Sequence, residues 1–298
     1  MSSETVQEQF DKLGVWARGG QRAPHKPLLV LYALGKWARG ESEQLYFADA
    51  EADLTLLLKE FGPSRRSHHP EYPFWWLQND GVWVVQADGT LKPRKAKNNP
   101  PKRELLAQNA WGMFSAEVRD AFRASPVLVT QIATRLLEQH FPESLHNDIL
   151  ESVGLSLDTS VTQRKRDPKF RLRVLTAYEY RCAVCGFDVR LGSVSIAIDA
   201  AHIQWHQAGG PDLECNGLAL CVLHHKTFDL GVFTVNNGVL LVSDQANGTA
   251  GFQESLMIYH GKPIRSAQRP NWWPEPKYLA WHKREVFKGE ARHRNIPI

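Results

Sequence analysis

The chain has 298 residues, 43% of them hydrophobic, which suits two ordinary domains with packed cores and argues against disorder as the default. Its net charge of +4 is mild and uneven: residues 1–160 carry 18 Lys and Arg against 20 Asp and Glu, and the remainder 18 against 12. There is no run of about 18 apolar residues and no basic-then-apolar leader, so neither a membrane span nor secretion is expected, and a cytoplasmic location is.

In chain order, residues 5–14 predict a short helix, and Gly19-Gly20 a loop. Pro27 suits the first turn of a helix, where its missing N–H is not needed, and Leu28, Leu29, Leu31, Tyr32 and Leu34 predict that this helix is buried and ends near Gly40. Residues 48–61 predict another helix, stopped by Gly62-Pro63. PFWWLQNDGVWVV reads as two strands around an Asn-Asp-Gly turn. Residues 103–112 and 115–140 read as helical. Two basic runs interrupt this half: Arg65, Arg66, His68 and His69, and then Lys92, Arg94, Lys95, Lys97, Lys102 and Arg103 with no acid among them. Each is either a local patch for a nucleic-acid backbone or a solvated loop.

Pro142, the polar stretch SLDTSVTQRKRD and a loss of apolar periodicity mark a boundary. The expected organisation is a first domain over 1–145, a linker over 146–168 and a second domain over 169–298. RDPKFRLRVLTAYEY then predicts a helix leading to Cys182, and residues 276–288 a last helix.

Two metal knuckles follow. Cys182-x-x-Cys185 and Cys221-x-x-His224 each present two ligands from one tight turn, with 35 residues between the pairs. Four such ligands make the closed tetrahedral shell of structural Zn²⁺, which adds folding energy where the core is thin. A thioredoxin-type redox CxxC is the competing reading; it lacks a βαβ setting and leaves the second knuckle unexplained. Cys215 is left over as a free thiol.

IAIDAAHIQW reads as a strand carrying His202, and NGLALCVLHHKTFDLGVFTV as a turn, a helix over 221–229 and a return strand. The stretch Ala-His202-Ile, Asn216-Gly-Leu-Ala-Leu-Cys221 and His224-His225-Lys-Thr-Phe-Asp229-Leu-Gly231 resembles the HNH endonuclease family over about residues 170–235. The resemblance implies a ββα-metal fold. It implies His202 as the general base that activates water, His225 as ligand of a catalytic Mg²⁺ or Mn²⁺, and Asn216 as the residue that holds the loop and orients His202. Many members place an Asp or His just before the base. Here that position is Ala201, with Asp199 or His206 as substitute ligands; Asp229 reads as a structural cap.

RAPHKPLLVLYAL and EYPFWWLQNDGVWVV resemble the sulfur-binding domain of phosphorothioate-dependent, McrA-like type IV restriction endonucleases. That resemblance implies a shallow apolar cup from Tyr72 and Pro73 for a soft, weakly hydrated sulfur. It implies charge and a helix start from His25 and Lys26 for the phosphate. The family often has Arg at the Lys26 position, and Lys offers a point charge instead of a fork. Arg65, Arg66, Arg94, Lys95 and Lys97 would track the backbone or reach base edges.

The expected protein is therefore α+β: a mainly helical DNA-reading domain with a β-hairpin, joined to a zinc-stabilised ββα-metal nuclease domain. Its expected partner is double-stranded, phosphorothioated DNA. A homodimer would supply the second site that a duplex break needs. The competing functions are an HNH endonuclease directed to a modified base and a zinc-stabilised DNA-binding protein without catalysis.

Overall fold

The computed structural model describes residues 3–14, 24–94, 98–156 and 168–293. The chain divides into two compact units, Met1–Gln163 and Arg164–Ile298. No helix among the described residues is long and apolar enough to cross a membrane.

The first unit runs α1 (Ser3–Asp11), α2 (His25–Ala38), β1 (Leu45–Tyr46), α3 (Phe47–Phe61), α4 (Glu71–Trp76), β2 (Trp83–Gln86), α5 (Lys102–Ala107), β3 (Trp111–Phe114), α6 (Ala116–Ala124), α7 (Val127–His140) and α8 (His146–Val153). Helix α2 buries every residue from Pro27 to Gly35, so it is apolar all round and serves as the hub of the core. Helices α3, α4, α7 and α8 all pack on it. The strands form one antiparallel sheet with β3 in the middle, in the register Leu45↔Gly112 and Trp83↔Phe114. Edge-on aromatic pairs knit the unit together: Phe47–Phe74 joins α3 to α4 at 5.0 Å, Trp83–Phe114 joins β2 to β3 at 5.6 Å, and Phe114–Phe122 joins β3 to α6 at 5.2 Å between ring centres.

Three expectations need correction in this unit. The hairpin expected over 71–85 is helix α4, a 3-10 turn over Leu77–Asp80 and a single strand. Pro70 and Pro73 sit at the entry and first turn of α4, where N–H groups have no intrahelical partner. Gly81, at φ 75°, then caps the 3-10 turn, so Asn-Asp-Gly ends a helix here instead of turning a hairpin. The helices expected over 103–112 and 115–140 are shorter, because Trp111 and Gly112 belong to β3 and Pro126 breaks the second into α6 and α7. The linker expected from residue 146 does not start there. Residues His146–Val153 are α8, with Ile149 and Val153 buried and Arg39 Nη1 donating to the Val153 and Gly154 carbonyls at 2.7 Å. Residues 157–167 lie outside the described residues.

The second unit runs α9 (Pro168–Ala177), β4 (Arg190–Leu191), β5 (Val194–Ser195), β6 (Ile198–His202), β7 (Gly217–Cys221), α10 (Val222–Asp229), β8 (Phe233–Asn236), β9 (Val239–Val242), α11 (Ala250–Ser255) and α12 (Pro276–Glu285). The order β6, loop, β7, α10 is the strand–loop–strand–helix layout expected from the sequence. Where a turn was expected after Asn216, a 3-10 turn over Glu214–Asn216 leads straight into β7. Strands β6 and β7 pair from Ile198↔Cys221 to His202↔Gly217. Helix α9 packs on this hairpin so closely that a Cβ on Gly217 would lie 2.4 Å from Val174 Cγ2. The core is Val174, Tyr178, Ala201, Leu218, Leu220, Phe228 and Phe233, all buried.

Candidate functional site

Cys182, Cys185, Cys221 and His224 converge, with all four ligand atoms within 4.8 Å of one another. The first knuckle is pinned beside β7 by Ala183 N–H donating to the Ala219 carbonyl at 2.8 Å. Cys221 closes β7 and His224 lies in the first turn of α10, so strand end and helix start supply the second pair. The Cys182 Sγ–His224 Nδ1, Cys221 Sγ–His224 Nδ1 and Cys185 Sγ–Cys221 Sγ separations are 3.6, 3.1 and 3.9 Å. Tetrahedral zinc with bonds of about 2.0–2.3 Å has edges of this size. Nε2 of His224 lies 2.8 Å from the Ser255 carbonyl, to which it donates, and this leaves Nδ1 as the lone-pair nitrogen facing the sulfurs. The sulfurs also conflict electrostatically. Hydrogen bonds from Cys185 and Cys221 hold Cys182 far below the ordinary thiol range, while Cys182 pushes Cys185 and Cys221 above it. A divalent cation among them removes that conflict. The donor set and spacing fit zinc. Cys215 is separate: it donates to Glu275 Oε1 at 3.1 Å, and burial with that carboxylate pushes its thiol up to about 11.

His225 turns away from the sulfurs. Its Nε2 is 3.2 Å from Asp229 Oδ2 and its Nδ1 4.0 Å from Asp199 Oδ2. Burial opposes a charge on this imidazole, but the two carboxylates outweigh it and push the group up to about 9. Asp199 also faces Arg171 Nε at 3.6 Å. An imidazole between two carboxylates is a hard N/O donor set that suits Mg²⁺ or Mn²⁺. Asp229, read from sequence as a cap, is instead a buried partner of His225.

His202 ends β6. Its ring stacks on Phe170 of α9, with centres 4.0 Å apart and planes 14° from parallel, and its Nε2 is 2.7 Å from Asp212 Oδ1. Asp199 and His202 lie three residues apart on β6, and each reaches a residue of α9, Arg171 for the first and Phe170 for the second. His206 stands edge-on to His202 at 6.2 Å. Asn216 is fully buried and clamps the loop between the strands: Oδ1 accepts from Gln204 N–H at 2.8 Å, and Nδ2 donates to the Gln204 and Pro211 carbonyls at 2.9 and 3.0 Å. It meets the His202 segment through backbone, Ile203 N–H donating to its carbonyl at 2.9 Å. The sequence reading missed Asp212. It sits in a Gly-Gly-Pro-Asp loop that reads as a plain turn, and no spacing rule ties it to His202.

In the first unit the structure separates the expected sulfur and phosphate contacts. Tyr72 is partly exposed and stacks on His69 at 4.7 Å, while Pro73 is buried. His69 is held by Ser67 Oγ at 2.9 Å and by the buried Glu71 at 3.1 Å. Of the expected Tyr-Pro cup, the tyrosine therefore faces outward. Lys26 Nζ meets Asp80 Oδ2 at 2.6 Å, and the other oxygen of Asp80 accepts from Gly14 N–H at 2.7 Å. Its charge is directed inward, and His25 stands beside it in the first turn of α2. Arg65 and Arg66 are exposed. Arg94 folds its own loop by donating to Asn99 Oδ1 at 3.3 Å, and Lys102 pairs with Glu51. Lys95 and Lys97 lie outside the described residues.

The second unit sets its histidines on the strand and the helix of a knuckled strand–loop–strand–helix. The family model for HNH endonucleases matches residues 182–236. The chain belongs to the family of the ScoMcrA-like DNA sulfur-binding domain, whose model matches residues 3–158, just over half of its length. Similar solved structures include the sulfur-binding domain of ScoMcrA complexed with phosphorothioated DNA, at 21% identity over 50% of this chain and 94% of that one, TM-score 0.45. The sulfur-binding domain of SprMcrA with phosphorothioated DNA is 24% identical over 52% and 95%, TM-score 0.44. The modification-dependent TagI restriction endonuclease is 23% identical over 45% of this chain and 41% of that one, TM-score 0.31. No curated protein matches the chain.

Proposed function

We propose that this chain is a metal-dependent restriction endonuclease that reads phosphorothioated double-stranded DNA with its first unit and cuts it with its second. The observation that carries the reading is the pairing, in one chain, of a DNA sulfur-binding family match and an HNH domain whose His202, Asn216 and His225 all stand in structured positions. In the first unit, the exposed face of Tyr72 receives the sulfur, whose weak hydration makes an apolar contact cheap. The start of α2 with His25 attracts the phosphate, and Arg65 and Arg66 follow the backbone. Lys26 supports this surface by fixing Asp80 and Gly14.

In the second unit, His202 takes a proton from water. Asn216 keeps its loop closed by three hydrogen bonds to backbone. His225 and Asp199, with Asp229 beside them, hold a Mg²⁺ or Mn²⁺ ion, which when bound stabilises charge on the phosphate and the leaving oxygen. Structural zinc in the Cys182–Cys185–Cys221–His224 shell fixes β7 and α10, and so fixes where His225 points. Cleavage of the duplex by two such sites would come from a homodimer, and a cytoplasmic location suits both the reduced cysteines and the substrate.

The test is cleavage of two duplexes of identical sequence, one carrying a single phosphorothioate, at fixed salt with Mg²⁺ or Mn²⁺. Cutting confined to the sulfur duplex is expected. Equal cutting of both would remove the sulfur reading, and tight binding without cutting would remove the nuclease reading.

A further inference from the structure

The second unit contains a carboxylate whose position no motif explains. Asp212 lies in the loop between β6 and β7, ten residues beyond His202, and its Oδ1 is 2.7 Å from His202 Nε2. Its own placement is fixed from two sides. Arg173 of α9 donates to the Asp212 carbonyl at 2.6 Å and pairs with Glu214 at 3.3 Å, while Asn216 Nδ2 donates to the carbonyl of neighbouring Pro211 at 3.0 Å. His202 is fixed as well, its ring lying flat on Phe170. Two side chains held this way meet at one geometry, and holding them costs little extra order on each turnover.

We infer that Asp212 is a positioning residue for catalysis, setting the tautomer and orientation of His202 so that Nδ1 is the atom that accepts the proton from water. The inference rests on the reading of His202 as general base. An ionised carboxylate only accepts hydrogen bonds, so the Nε2 it contacts carries the hydrogen and Nδ1 carries the lone pair. As the water oxygen bonds to phosphorus, its proton passes to Nδ1 and the bond from phosphorus to the leaving oxygen breaks. The leaving oxygen is protonated from solvent, and the imidazolium later returns its proton to water. During that interval Asp212 faces a cation at hydrogen-bond distance, so it stabilises the charged form of the base. Charged or titratable groups near the pair include His206, whose ring lies 6.2 Å from that of His202, and Arg173, which bonds the Asp212 carbonyl and pairs with Glu214.

Asp212→Asn, Asp212→Glu and His202→Ala are compared in the full chain by cleavage of a duplex carrying one phosphorothioate, across pH, at saturating Mn²⁺. Asp212→Asn is expected to lower kcat by about 10²-fold with KM unchanged. It also moves the acidic limb of the rate profile to lower pH, because the imidazole loses its proton more readily without the carboxylate. Asp212→Glu restores part of the rate. An unchanged rate and profile in Asp212→Asn, with His202→Ala inactive, overturns the pairing and leaves the base in place; an active His202→Ala overturns the base itself. Nitrogen-15 NMR of the wild-type imidazole gives a readout independent of activity and of how the variants fold. A neutral His202 protonated at Nε2 is expected, and one protonated at Nδ1 contradicts the assignment.

Discussion

His224 and His225 are neighbours in the chain yet belong to different chemistry: Nδ1 of His224 lies 3.1 Å from Cys221 Sγ, and Nε2 of His225 lies 3.2 Å from Asp229 Oδ2. A helix advances about 100° per residue, so successive side chains on α10 leave it in different directions. One turn of helix thereby joins the zinc shell to the proposed cutting site. Any disturbance of the shell reaches His225 through the backbone they share.

Loss of zinc should therefore unfold the second unit and not merely slow it. Wild-type protein is expected to hold one zinc per chain. Cys182→Ser should hold none and should lose a thermal transition, since a structural zinc site of this kind binds with about 10–16 kcal/mol. Cys215→Ser should keep its zinc, because Cys215 bonds Glu275 outside the shell. Metal analysis with calorimetry decides it, and a zinc-free Cys182→Ser that melts like wild type would count against a structural role.

Gly217 sits directly across from His202 on the neighbouring strand, and a Cβ there would lie 2.4 Å from Val174 Cγ2 and 3.3 Å from Phe170 Cζ. Gly217→Ala should push α9 outward at a cost of about 1–3 kcal/mol. Because Phe170 carries the His202 ring, cleavage should fall even at temperatures where the variant is folded. Melting curves and single-turnover rates measured together would show both effects. A wild-type rate in a destabilised variant would separate α9 from catalysis.

The first unit should weaken in acid through His140. Burial pushes this imidazole down to about 4, from 6.5 when unfolded, and His146 is lowered by burial in the same direction. The unfolded chain thus takes up a proton at a higher pH than the folded one. Stability is full above about 6.5, falls as pH drops toward 4 and levels off below it, a total of roughly 3 kcal/mol for His140. In His140→Asn the curve of stability against pH should be flatter across that window. Denaturant unfolding at a series of pH values reads this directly, and an identical slope would exclude His140 as the source.

Lys26 and Asp80 form an ion pair whose side chains are only 15% and 10% exposed. Breaking it from one side leaves a charge with little water around it. Asp80→Ala is expected to cost about 3–5 kcal/mol in urea unfolding. A change below about 1 kcal/mol would mean that Lys26 reaches solvent and is available to a phosphate.

The second unit was more legible in the sequence than the first, for a physical reason. Metal ligands and the HNH residues are chemically distinctive and sit in short, fixed spacings, so Cys182, Cys185, Cys221 and His224 were found without tertiary knowledge and converge within 4.8 Å. Segment 71–85 was misread because aromatic residues favour strands in isolation, and because Asn-Asp-Gly serves hairpins and helix caps equally well. The strand β2 pairs with β3, placing Trp83 opposite Phe114, and nothing local to Trp83 announces that partner. The inward pairing of Lys26 with Asp80 and the contact of His202 with Asp212 are likewise tertiary facts, written in no motif.

The most direct measurement is equilibrium binding of His202→Ala protein to two duplexes that differ by a single phosphorothioate, at one fixed salt concentration, beside the same variant carrying Tyr72→Ala. Tighter binding of the sulfur duplex, by about tenfold or more and lost with Tyr72→Ala, is expected if Tyr72 receives the sulfur. Equal affinity for both duplexes would contradict sulfur recognition and direct the search to modified bases.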